Sequence, residues 1–211
     1  MQYGSIIQHG ARGFTRNAWV LVGFSVVYFI AIGVLSLLAS KVDDGLSGAN
    51  PQLWLLIPYL LLLLLQVVVH LVGNIALIHG ALMAVKGQTF KCGQLFAVSG
   101  EIFNLFGFHV FSSIAVLVGL LAFGIPGIYL AVAYWFAAFV LVDRRVAFLD
   151  AMALSRTLVT ARWFDIAVFV VVVGAISLSG VIACGVGLFA TVPLGVCVGA
   201  SAYLQLVAQK S

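Results

Sequence analysis

The stretch Asp143–Asp165, DRRVAFLDAMALSRTLVTARWFD, decides how the chain is read. It carries Arg144, Arg145, Arg156 and Arg162, four of the ten basic residues, between segments apolar enough to sit in lipid. A charged side chain at the bilayer centre costs about 2.5–3.5 kcal/mol on insertion scales, so this segment belongs at a membrane surface. Of the 211 residues, 64% are hydrophobic and only 8% are charged, with a mean hydropathy of +1.24. Soluble domains carry about 25% charged residues. A chain this poor in charge cannot cover a water-facing surface, which points to an all-α polytopic membrane protein forming one domain, 1–211. The net charge of +4 sits on residues beside apolar spans. Anionic lipid headgroups, not nucleic acid, are the partner it implies.

Working outward, six transmembrane helices are predicted at about 17–40, 51–85, 102–123, 125–142, 166–183 and 188–208. Interfacial helices are predicted at 1–16, 86–101 and 143–165, on the cytoplasmic side. The first span is too long and aromatic for a signal sequence and reads as a retained helix. Asn50-Pro51 is a helix-start signal. The 35 residues of the second run would reach about 52 Å against a hydrocarbon core of about 30 Å, so the helix either tilts and projects or breaks at Pro58. In the organising segment, Phe148, Met152, Leu154, Leu158 and Val159 share a broad helical side, opposite Asp150, Thr157 and Thr160. Ser155 and Arg162 interrupt that apolar side.

Charge then sets orientation. Arg12, Arg16, Lys86, Lys91, Arg144, Arg145, Arg156, Arg162 and Lys210 fall on one side and Lys41 alone on the other, nine against one of the ten. Positive residues mark the cytoplasmic face, so a plasma (inner) membrane location with both termini inside is expected. Cys92 is expected on that face and Cys184 near the opposite one. The three cysteines form no CxxC pair and have no metal-ligand spacing with histidine.

The second half of the chain has recognisable features. Pro126-Gly127-Ile128-Tyr129 opens a span that Asp143 closes. Asp150-Ala151 and Ser155 follow on an amphipathic helix, Arg162-Trp163 enters a span, and Pro193 and Tyr203 lie in the last one. This pattern, over roughly residues 85–209, resembles a bacterial six-span group of uncharacterised function. The group includes the YciC-like proteins and the membrane domain fused to some glycerophosphodiester phosphodiesterases. The resemblance implies the membrane fold. The soluble phosphodiesterase barrel is absent from this sequence, so no catalytic residue is implied.

Among candidate sites, Gln66, His70 and Asn74 are spaced four apart and line one face of the second span, with Gly73 and Gly80 beside them. They read either as interhelical hydrogen-bonding groups or as a proton or solute path. His79 lies about 180° round the helix from His70, which argues against a shared metal. Gly195-x-x-x-Gly199 is a helix-packing motif. Arg156 and Arg162 are the arginines best suited to phospholipid headgroups, although setting topology is the favoured explanation of them. Phosphate loops and paired intramembrane carboxylates are missing, so no enzyme activity, cofactor or metal is implied. The expected function is a non-enzymatic scaffold or accessory subunit that packs against lipids, other membrane subunits or its own copies. The alternative is a small transporter or channel with a polar path at the second span.

Overall fold

The computed structural model describes residues 3–47, 52–97, 99–182, 185 and 187–209. Cys184, Lys210 and the Asn50-Pro51 signal lie outside the described residues. The described chain is helical, with no strand among the described residues. The helices are α1 (Tyr3–Ser47), α2 (Leu56–Val85), α3 (Ile102–Phe123), α4 (Ile125–Ala133), α5 (Ala137–Arg144), α6 (Phe148–Val159), α7 (Trp163–Ile182) and α8 (Leu188–Ala208). Six stretches are long and apolar enough to cross a membrane, with α4–α5 and α6–α7 each counting as one. The protein is therefore an all-α, multi-pass membrane protein.

Helix α1 runs for 45 residues, with one non-helical residue, Asn17 (φ −122°, ψ 16°). The kink separates the polar N-terminal turns from the apolar remainder. Asn17 is buried, and its amide donates to the Gln88 carbonyl at 3.1 Å. The N-terminal turns cross the bundle at close range. A Cβ on Gly10 would lie 2.7 Å from the Val198 Cα, and one on Gly13 would lie 3.0 Å from the Ala84 carbonyl oxygen. At the start of the helix, the Tyr3 hydroxyl donates to the Asp165 carbonyl at 3.2 Å. One short helical segment thus ties together the start of α7, the middle of α8 and the end of α2.

Pro58 does not break the second run. A 3-10 turn, Leu53–Leu55, leads into α2, and Pro58 sits in its first turn. A first-turn residue has no intrahelical partner for its N–H, so proline costs nothing there. The buried residues of α2 begin only at Leu71, so its first half leaves most side chains on the surface.

The fourth apolar stretch is two helices joined at a bend, Tyr134–Phe136, where the bonding shortens to Ala137 N–H on the Tyr134 carbonyl. The bend deprives the Ala133 carbonyl of its helical donor. Ser155 of α6 supplies the replacement, its hydroxyl donating to that oxygen at 2.7 Å. This explains a difference from the sequence pattern. The buried stripe of α6 is Ala151, Met152, Ser155 and Val159, so Ser155 belongs to the inward side, while Leu154 and Leu158 are half-buried. Asp150, Thr157 and Thr160 are exposed. Helix α4 and the bend after it pack on α7, with Tyr129 stacked on Trp163 at 6.1 Å and Trp135 edge-on to Phe169 at 6.0 Å. Its second turn is held to the α6–α7 junction by the Tyr129–Thr160 hydroxyl pair at 3.0 Å.

Backbone contact at Gly10 sets a test. Replacing Gly10 with Val forces a side chain into the Val198 backbone, and overpacking of this kind costs about 1–3 kcal/mol or more. Replacing Gly23 with Ala meets open space and is expected to be nearly neutral. Equilibrium unfolding of the detergent-solubilised variants measures both.

Candidate functional site

The polar stripe of α2 faces α1. The Gln66 amide donates to the Ser36 hydroxyl at 2.9 Å, and a 2.9 Å hydrogen bond joins the Tyr28 hydroxyl to His70 Nδ1. On its other side, His70 Nε2 lies 3.4 Å from the Asn74 amide nitrogen. Gly73 makes this possible: a Cβ there would overlap the Tyr28 ring. The glycine therefore admits an aromatic ring, not the partner backbone that its type suggested. Tyr28 and Ser36, eight residues apart on α1, meet His70 and Gln66, four residues apart on α2, so the sequence spacing does not pair them.

Packing around the stripe is not closed. Gln66 and Asn74 are half-buried and His70 is exposed. A groove of about 800 Å³ opens between α2 and α3, with Gln66, His70, His109 and Ser113 among its lining. A second open cleft, about 500 Å³, is lined in part by Asn74, His109, Trp135 and Ser177. His109 borders both. Its ring stands 6.3 Å from the His70 ring, and its Nε2 is buried without a hydrogen-bond partner. Sequence spacing alone could not place His109 there, because the approach comes from another helix. Among the described residues, no group of three His, Cys, Asp or Glu comes close enough to hold a metal ion.

A second polar cluster lies at the opposite end of α2. Lys86 Nζ contacts Asp143 Oδ1 at 2.6 Å, and the fully buried Tyr203 hydroxyl donates to Asp143 Oδ2 at 3.0 Å. One carboxylate thereby joins the ends of α2, α5 and α8. Its surroundings are more enclosed than those of the lysine, the side chains being 17% and 44% exposed respectively.

The remaining candidates lie apart from the stripe. Gly195 faces Ser177 and Val173 of α7, whereas Gly199 receives the rings of Trp135 and Phe139, so both partners of the motif are internal. Arg162 donates to the Gln209 side-chain oxygen at 3.1 Å. Arg156 is exposed beside the Tyr129–Thr160 pair. Comparison with family models, curated proteins and solved structures finds no match to the chain.

The carboxylate cluster yields a graded prediction. Asp143→Ala strips Lys86 and Tyr203 of their acceptor and is expected to cost about 1–3 kcal/mol, as for hydrogen bonds to a charged group. Tyr203→Phe removes one of the two contacts and should cost less. Denaturant titrations that rank Asp143→Ala at or below Tyr203→Phe would contradict the assignment.

Proposed function

We propose that the chain is a non-enzymatic scaffold or accessory subunit of a bacterial plasma-membrane complex, with both termini cytoplasmic. The observation that carries this reading is the outer portion of the α1–α2 pair. Val27, Ile30, Val34 and Leu37 form an exposed aliphatic stripe on α1, and Gly23 continues it with open space where a Cβ would stand. Small residues on a lipid-facing helix permit close approach of a neighbouring helix. The cytoplasmic assignment rests on the charge split, nine basic residues against one. The likeness to the six-span bacterial group is part of the same proposal.

The small-transporter reading stays beside it for one reason. The groove and the second cleft both reach the polar stripe, as a solute path requires.

Cysteine crosslinking in native membranes separates the two. In a background without the natural cysteines, Val27→Cys is expected to give a position-specific adduct with another chain or copy. Phe103→Cys, more exposed still but on α3, should not. Absence of that adduct, with His70→Leu abolishing proton or solute flux in proteoliposomes while the fold survives, would replace the scaffold with the transporter.

A further inference from the structure

We propose that the notch between the ends of α2 and α5 is a binding site for a phosphate group, with Arg145 and Lys86 as its main ligands. The site stands whether the chain is a scaffold or a transporter. The notch holds about 190 Å³, and His79, Lys86, Gln88, Asp143 and Arg145 supply its polar lining. Lys86, Gln88 and Arg145 are exposed, the lysine side chain by 44%. A molecule arriving from outside therefore reaches their donors.

The backbone singles out one of these residues. Arg145 follows α5 in the left-handed conformation (φ 51°, ψ 45°), and it is the one non-glycine residue with positive φ among the described residues. Glycine is the usual residue at that place, because a Cβ there crowds the following carbonyl. The chain carries arginine against that cost, and the turn brings its side chain to the notch. Residues held in such conformations concentrate at ligand sites.

Charge sets the sign of the ligand. Asp143 is the one carboxylate of the notch among the described residues, and both its oxygens are engaged. Lys86 contacts Oδ1, and Tyr203 donates to Oδ2. Arg16 and Arg144 add to the positive side. A Cβ on Gly87 would lie 3.9 Å from an Arg16 guanidinium nitrogen, and Arg144 lies beside the Tyr203 hydroxyl. Asp150, the next acid along the chain, is exposed and forms an ion pair with none of them among the described residues. Arg16, Lys86, Arg144 and Arg145 thus face a single anion. The C-terminal ends of α2 and α5 meet here, each equivalent to about half a negative charge, which leaves about two positive charges unmatched. A carboxylate ligand brings one negative charge. A phosphate monoester brings about 1.5–2, with three acceptor oxygens that suit the guanidinium fork.

Size restricts the ligand further. Sites for drug-sized molecules run to about 300–1,000 Å³, and this notch is smaller. It takes the phosphate and leaves the rest of the bearer outside. The bearer is either a phospholipid, whose phosphate lies at the membrane surface, or a soluble phosphate.

The test uses the full chain in detergent, read by native mass spectrometry with dioleoylphosphatidic acid, with dioleoylphosphatidylcholine as control and inorganic phosphate as competitor. The expected result is a phosphatidic acid adduct that phosphatidylcholine does not give and that inorganic phosphate displaces, which assigns the site to a headgroup. A rise in unfolding temperature with inorganic phosphate, and no phosphatidic acid adduct, assigns it to a soluble phosphate. Arg145→Gly removes the guanidinium and relieves the backbone. It is expected to weaken whichever ligand binds by about tenfold, the size of a hydrogen bond between charged groups, while unfolding temperature without ligand is kept or raised. Arg145→Asn, which also tolerates the left-handed turn, makes the same measurement if the glycine variant fails to fold. Arg12→Gln, exposed but in a different groove, should leave the affinity unchanged. Failure of both ligands to bind, or phosphatidylcholine adducts equal to those of phosphatidic acid, would overturn the proposal. So would unchanged affinity on replacing Arg145, or an equal loss in Arg12→Gln.

Discussion

Hydrocarbon offers no hydrogen bonds, so every polar group that enters it must find a partner inside the protein. Most of the structure follows from that constraint. Helices satisfy their own backbones, and difficulty arises only where a helix bends or carries a polar side chain. At the α4–α5 bend the orphaned Ala133 carbonyl is met by Ser155. Where α1 kinks, Asn17 reaches Gln88. Along α2, Gln66 and His70 are matched by Ser36 and Tyr28 of α1, and Asn74 bonds His70. Each bond joins two elements, so the groups that would be costly alone become the points at which helices are fixed to one another.

Close approach is the second requirement, because lipid is as apolar as leucine and gives no hydrophobic drive for helices to associate. Glycines meet it at specific crossings. Gly10 and Gly13 let the N-terminal turns press on the backbones of α8 and α2, and Gly199 makes room for Trp135 and Phe139 against α8. Trp135, Phe136, Phe139 and Tyr203 then form an aromatic centre between the α4–α5 bend and α8. Tyr203 carries that centre to Asp143, and through it to Lys86. Removing a glycine or the carboxylate therefore acts on several helices together.

The six apolar stretches were legible in the sequence, because length and hydropathy are local properties. The polar face of α2 was legible too, since four-residue spacing fixes a helical face without any knowledge of neighbours. Its partners were less so: Tyr28 and Ser36 lie in an ordinary apolar span and acquire meaning only when α1 and α2 are aligned. The bend at Tyr134–Phe136 escaped notice because no proline or glycine marks it. Ser155 looked like an interruption of an apolar side, since the carbonyl it serves is created by that bend. His109 gave no local signal, and its place beside His70 is a product of the packing of α3.

The central claim is that the α2 stripe is held by hydrogen bonds across the α1–α2 seam. A double-mutant cycle on Tyr28→Phe and His70→Leu, read by equilibrium unfolding in detergent or bicelles, tests it most directly. A coupling energy of about 0.6 kcal/mol, and not above about 1.7, is the size found for hydrogen bonds between membrane helices, and is the result predicted. Strict additivity of the two substitutions would contradict the account, because it would mean that Tyr28 and His70 do not meet in the folded protein.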